Sequence, residues 1–123
     1  MFELPDPHKI KSPVIDTQEA GIKHDAEKPA LSLIPTSMLT EVGAVLTFGA
    51  EKYTAHNWRK GIALSRLTSA ALRHILAFNE GEDLDGESGL PHLAHAICNL
   101  AFALEQMSNK VKYDAYDDRY LNT

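Results

Sequence analysis

The sequence predicts an all-α fold: a small bundle of three main helices, with an irregular proline-containing N-terminal arm and a short C-terminal tail. Three observations carry this. Five of the six prolines fall in residues 1–35, where apolar residues show little period. From about residue 36 the apolar residues recur every three or four positions, the spacing of a helix face. No stretch alternates polar and apolar residues as a half-buried strand would, and no internal repeat is visible. At 123 residues the chain reads as a single domain, 1–123, with an arm over 1–35, a helical core over 36–109 and a tail over 110–123.

In the arm, KHDAEKPALSLIP ends in an apolar patch, Leu31, Leu33 and Ile34, suited to docking on the core. A first helix is expected from Thr36 or Ser37, just after Pro35, with Met38, Leu39, Val42, Val45 and Leu46 on one face. Gly49 weakens that pattern, and AEKYTAHNWRKG reads as the start of a loop closed by Gly61. A second helix is expected from about Ser65 to Asn79. Its inner line is Leu67, Ala70, Ala71, His74 and Phe78, widened by Leu72, Ile75 and Leu76. Gly81 stops it, and an acidic loop follows. Pro91 suits the first turn of a third helix running to about Met107, with Leu93, Ile97, Leu100, Leu104 and Met107 as its core stripe. KVKYDAYDDRYLNT is a last short helix or arm.

Hydrophobic and charged contents of 44% and 24% are those of an ordinary globular protein. The net charge of −5, with no dominant basic stripe, argues against nucleic acid as a partner. The opening MFELPDPHKIKSP has no apolar leader segment, and no run is long enough to cross a bilayer, so neither membrane nor secretion is expected. The single Cys98 excludes an intramolecular disulfide and fits a reducing cytoplasm; set among Ile97, Leu100 and Ala101, it reads as a small buried hydrophobe.

The chemistry concentrates in GEDLDGESGLPHLAHAICN, residues 81–99. On a helix, positions 92, 95 and 99 return to nearly the same face. That helix is apolar on almost every side, so His92, His95 and Asn99 are expected inside, where unpaired polar groups are costly. Their available partners are His74 on the second helix and the carboxylates Glu82, Asp83, Asp85 and Glu87. Imidazoles and carboxylates converging between helices can hold a divalent cation, with Asn99 as ligand or orienter. The other reading is structural: core histidines hydrogen-bonded to Asp83 or Asp85. A second constellation is FGAEKYTAHNWRKG, residues 48–61. Lys52, Arg59 and Lys60 offer donors for phosphate, and Tyr53, Asn57 and Trp58 offer stacking and amide contacts to a base. A metal and cations together point to a small-molecule nucleotide.

KHDAEKPALSLIP, LTFGAEKYTAHNWRKG and RHILAFNEGEDLDGESGLPHLAHAICN resemble, in order, successive blocks of the phage-type dATP/dGTP diphosphohydrolase domain family, covering roughly residues 21–107. The resemblance implies hydrolysis of purine deoxynucleoside triphosphates to monophosphate and pyrophosphate, in the host cytoplasm if phage-encoded. It adds Lys28 of the first block and Arg73 of the third to the substrate-binding set of Lys52, Tyr53, Asn57, Trp58, Arg59, Lys60 and Asn99. The helix pattern is also similar to the wider MazG-like all-α pyrophosphohydrolases, which bind magnesium through ExxE on one helix and ExxD on a later one. Where such a chain carries ExxD followed by Asn, this one has HLAHAICN, so His92 and His95 replace both acids; Ala71 and His74 stand where ExxE is expected.

Two readings from different classes follow. In the first, an enzyme holds a divalent metal (magnesium, manganese or a softer ion such as cobalt or zinc) on His74, His92, His95 and Asp85. Glu82, Asp83 or Asp85 is then its ligand or general base. In the second, a non-catalytic phage protein sequesters a signalling or cyclic nucleotide from host defence, and the missing acids mean that no metal is bound. A purely structural helical module is the third. Helices apolar on more than one face, together with the MazG-like resemblance, lead to a homo-oligomer, a dimer or tetramer.

Overall fold

The structure is a computed structural model that describes residues 20–120. Residues 1–19 of the expected arm and 121–123 of the tail lie outside them. The chain divides into two compact units, Met1–Pro35 and Thr36–Thr123. The division falls where the proline-rich sequence gives way to the periodic one.

In the first unit, the Lys28 N–H donates to Asp25 O at 3.1 Å, and Leu31–Leu33 form a single 3₁₀ turn. Leu31, Leu33 and Lys28 are exposed. The second unit carries α1 (Thr36–Lys52), α2 (Leu64–Asn79), α3 (His92–Ser108) and the one-turn α4 (Lys110–Tyr113). Short 3₁₀ turns at Asn57–Lys60 and Asp114–Tyr116 complete it. Among the described residues there is no strand, only an isolated bridge between Leu84 and Pro91.

The three long helices begin within a residue or so of where the sequence places them, and α1 differs at its end. It runs through Gly49 to Lys52, because one glycine costs only about 1 kcal/mol in a helix and the flanking residues are good formers. Pro91 sits just before α3 as its N-cap residue, with ψ 133°, rather than in the first turn. The tail forms α4 and a 3₁₀ turn.

Packing brings one clear correction. Leu93, Ile97, Leu100 and Leu104, the expected core stripe of α3, are 45, 37, 49 and 72% exposed. The buried residues of α3 are His92, Ala94, Ala96, Cys98 and Gln106. The reason is steric: α3 packs chiefly on α2 and then on α1. Ala94 and Cys98 let the helices approach Val45 closely, with Val42, Leu90 and Phe102 filling the margin. Once that small-residue seam faces inward, the leucines must face out. On α2, Leu67 and Ala71 are buried as expected, while Leu72 and Leu76 are 57 and 60% exposed.

Candidate active site

The C-terminal half of α1, the connection through Asn57–Lys60, most of α2 and one face of α3 enclose a cleft of about 1210 Å³. Small-molecule pockets typically occupy about 300–1,000 Å³, so a nucleotide fits. Lys52, Tyr53, Asn57, Trp58, Arg59, Arg73, His74, Asp85, His95 and Asn99 all line it. The two constellations, up to about 50 residues apart in sequence, therefore share one cavity. Lys60 is exposed at the end of its turn, and Lys28 belongs to the first unit.

The acidic loop is folded by its own backbone. Gly81, at φ 99°, ends α2 in a conformation that favours glycine. Asp85 N–H donates to Leu90 O at 2.8 Å, Gly89 N–H donates to Asp85 O at 2.8 Å, and His92 N–H donates to Asp83 O at 3.0 Å. This closes the loop on the start of α3 and carries the Asp85 side chain into the cleft. Asp83 thus serves through its carbonyl, with its side chain exposed.

Three imidazoles meet beside that loop. The His74 Nδ1 and His92 Nδ1 atoms are 2.8 Å apart, and the His74 ring stacks on that of His95 at 4.5 Å and 9°. With a hydrogen bond between the two Nδ1 atoms, one is protonated and the other is bare. His92 is 5% exposed, and its Nε2 is a buried polar atom without a hydrogen-bond partner. Glu82 Oε1 lies 3.4 Å away, within ion-pair range but outside hydrogen-bond geometry. Ligand atoms of His74, Asp85 and His92 lie within 4.8 Å of one another. Two nitrogens bound at right angles to one cation, with bonds of about 2.1 Å, are about 3 Å apart. The imidazole pair, once its shared proton is lost, and the neighbouring carboxylate therefore suit a divalent ion that accepts nitrogen and oxygen ligands, while His92 Nε2, on the other edge of its ring, faces Glu82.

Ser88 joins His95, the fourth predicted ligand, to the loop. Its N–H and hydroxyl both donate to Asp85 Oδ2 at 2.9 Å. With its one proton given to the carboxylate, Ser88 Oγ accepts from His95 Nε2 at 2.7 Å, so His95 carries its proton on Nε2. Burial works against the Asp85 carboxylate, but the two bonds from Ser88, aided by His95 and His74, overcome it and hold its pKa below the ordinary value. Burial lowers the pKa of His95, with Asp85 opposing, and burial followed by the charge of His95 lowers that of His74. Neutral imidazoles beside an ionised carboxylate are a ligand set.

The basic turn is braced differently. Trp58 stacks on Phe102 of α3 at 4.9 Å and 12°, and the Arg59 guanidinium covers the ring at 4.6 Å. Trp58, held by these two contacts, lines the cleft, and Tyr53, 60% exposed, has the more open ring. Arg59 Nε also donates to His56 Nδ1 at 3.2 Å. Lys52 Nζ pairs with Glu87 Oε1 at 2.6 Å, a bond that raises the lysine pKa. Asn99 lines the cleft and donates to its own helix at His95 O, 2.9 Å away. Phe102 and Ser88 carried no sequence signal beyond type, and only the folded chain brings them to the site; Glu87, expected beside the histidines, pairs with Lys52 instead.

Residues 18–118 match the family described as dATP/dGTP diphosphohydrolase, N-terminal. The chain belongs to this family. It is 40% identical over 94 residues to a dATP/dGTP diphosphohydrolase of Salmonella phage PMBT28, a stretch covering 76% of this chain and 32% of the phage protein. The chain thus spans about a third of that relative's length. No solved structure matches. No helix among the described residues is long and apolar enough to cross a membrane.

Proposed function

We propose that the chain is a metal-dependent nucleotide pyrophosphohydrolase that converts dATP or dGTP to the monophosphate and pyrophosphate. The observation that carries this is the single cleft in which cations and an imidazole–carboxylate cluster face a common space. The name of the phage relative supports the substrate class. His74, His92 and Asp85 would hold a divalent cation, with His95 beside them; when bound, such an ion neutralises phosphate charge and makes phosphorus more electrophilic.

The remaining work belongs to side chains. Arg59, Arg73 and, once released from Glu87, Lys52 would neutralise the rest of a triphosphate's charge and align it. Asp85, held ionised by Ser88, would accept a proton from the water that attacks the α-phosphorus. The bond from that phosphorus to the bridging oxygen breaks, and pyrophosphate leaves. Glu82 reaches only His92, and Asp83 acts through its backbone, so Asp85 is the best placed of the three acids. Asn57 and Tyr53 would meet the base.

We further infer self-association as a dimer or tetramer through the exposed leucine faces, and action in a host cytoplasm. The test is to incubate the protein with manganese and a panel of deoxynucleoside triphosphates and to resolve the products. Equal amounts of monophosphate and pyrophosphate support the proposal. Tight binding without turnover would instead identify a nucleotide-sequestering protein.

A further inference from the structure

The turn that carries Asn57, Trp58, Arg59 and Lys60 is four residues of 3₁₀ helix, and such a turn has little stability of its own. Its shape comes from the C-terminal quarter of the chain. Gln106, near the end of α3 and 2% exposed, accepts from Ile62 N–H and donates to Ile62 O, both at 2.8 Å. Asn and Gln are the side chains that present a carbonyl and an NH₂ group on one short plane, so this two-way grip on a peptide is an amide's task. Tyr113, also buried, donates its hydroxyl to Arg59 O at 2.8 Å. Between these grips lies Gly61, at φ 101°, where a Cβ would collide with the Tyr116 ring. Asp118 then accepts from the N–H and hydroxyl of Ser65, fixing the first turn of α2.

We infer that Gln106 and Tyr113 are positioning residues that set the Arg59 guanidinium and the Asn57 amide for nucleotide, an inference resting on the nucleotide reading above. A polar core residue on α3 would otherwise be replaceable by leucine. Here the amide and the phenol hydroxyl hydrogen-bond only to backbone, and that backbone is the one bearing the proposed phosphate and base contacts. The histidine cluster is not among their partners, so losing either grip should disturb nucleotide contacts and spare the cation site.

Tyr113→Phe removes one hydroxyl and keeps the ring, so it is the first variant; Gln106→Leu is the second, and Gln106→Glu keeps the acceptor while losing the donor. Three quantities are measured in each: melting temperature, manganese affinity by calorimetry, and KM and kcat for dATP. Trp58 is the sole tryptophan, so its quenching by acrylamide reads the turn directly. Tyr113→Phe should remain folded with unchanged manganese affinity. Its KM should rise roughly three- to tenfold, the weight of one hydrogen bond, with kcat altered less and Trp58 more readily quenched. Gln106→Glu sets an acceptor against Ile62 O and should lose at least as much as Gln106→Leu. A folded Tyr113→Phe protein with wild-type KM and quenching, beside active wild type, overturns the positioning role alone. A wild-type protein that neither binds nor hydrolyses dATP overturns the nucleotide reading and this inference with it.

Discussion

The two faces of α3 reverse the usual order. The inward face carries His92, His95, Asn99 and Gln106, interleaved with Ala94 and Cys98; the outward face carries Leu93, Ile97, Leu100 and Leu104. In a self-sufficient bundle the leucines would form the core and the imidazoles the surface. Burying the polar face is tolerable because nearly every polar group on it is engaged. His92 Nδ1 meets His74, His95 meets Ser88, and Gln106 holds Ile62. The orphaned His92 Nε2 is the exception, and Glu82 Oε1 stands 3.4 Å from it. The difference teaches that α3 is organised around a site on one side and needs cover on the other.

The sharpest way to break the inner face is at the carboxylate it faces. Asp85→Asn keeps size and can still receive the Ser88 bonds, yet removes the proton acceptor and weakens a proposed cation ligand, so turnover is compared at saturating manganese. Turnover should fall by about 10²–10⁴-fold, the usual weight of a general base, with helical content by circular dichroism unchanged. An Asp85→Asn enzyme within a few-fold of wild type would move the base elsewhere. Truncating His92 or His95 to Ala should lower manganese affinity by at least about 10–100-fold while both proteins stay folded. If both unfold and the native protein takes up no divalent ion, the inner face is structural.

The outer face is tested by charge. Ile97→Glu with Leu100→Glu places two carboxylates in the stripe and cannot disturb the cleft from that side of the helix. Sedimentation at micromolar concentration should show a dimer or tetramer for wild type and a monomer for the variant, since burying unpaired charge in an interface is strongly unfavourable. A wild-type monomer would remove the need for a second copy.

Cys98 contrasts with these leucines on the same helix. Burial raises its thiol pKa from the ordinary 9.0 to about 11. A raised pKa keeps the thiol protonated through neutral pH, so a thiolate-directed reagent at pH 8 should react about a hundredfold more slowly than with free cysteine. The rate should climb about tenfold per pH unit toward 11, and guanidinium should restore ordinary reactivity. Fast labelling of the folded protein would mean that the α1–α3 seam opens.

The three long helices, their starts and the ends of α2 and α3 were legible because periodicity and the flanking Pro35, Gly81 and Pro91 act locally, while α1 ran on past Gly49. The residue types of the cleft were legible too, since polar groups in apolar runs draw attention. The orientation of α3 was not. A helix apolar on every side has no periodic signal for which face is inner, and the choice fell to how closely Ala94 and Cys98 can approach α1. Ser88, Phe102 and Gln106 act through partners fixed only by folding; the grip of Gln106 on Ile62 spans 44 positions.

A last prediction tests whether the turn opposite the histidines belongs to the same site. A triphosphate carries about four negative charges, more than one divalent ion neutralises, so protein cations must supply the remainder. Arg59 lines the cleft and is held over Trp58 and against His56. Both contacts orient the guanidinium without neutralising it, so its charge stays available to phosphate. Arg59→Ala should weaken nucleotide binding by about 1.5–3 kcal/mol, the range of a charge-assisted contact. Fold should persist, because Trp58 keeps its stack on Phe102 and Tyr113 bonds only the Arg59 carbonyl. The comparison that decides is between ligands: titrating deoxyadenosine and dATP into wild type and variant. Loss for dATP alone assigns Arg59 to phosphate. An equal loss for both would mean that the variant has disturbed the Trp58 stack instead, and no loss for either would leave the basic turn outside the site.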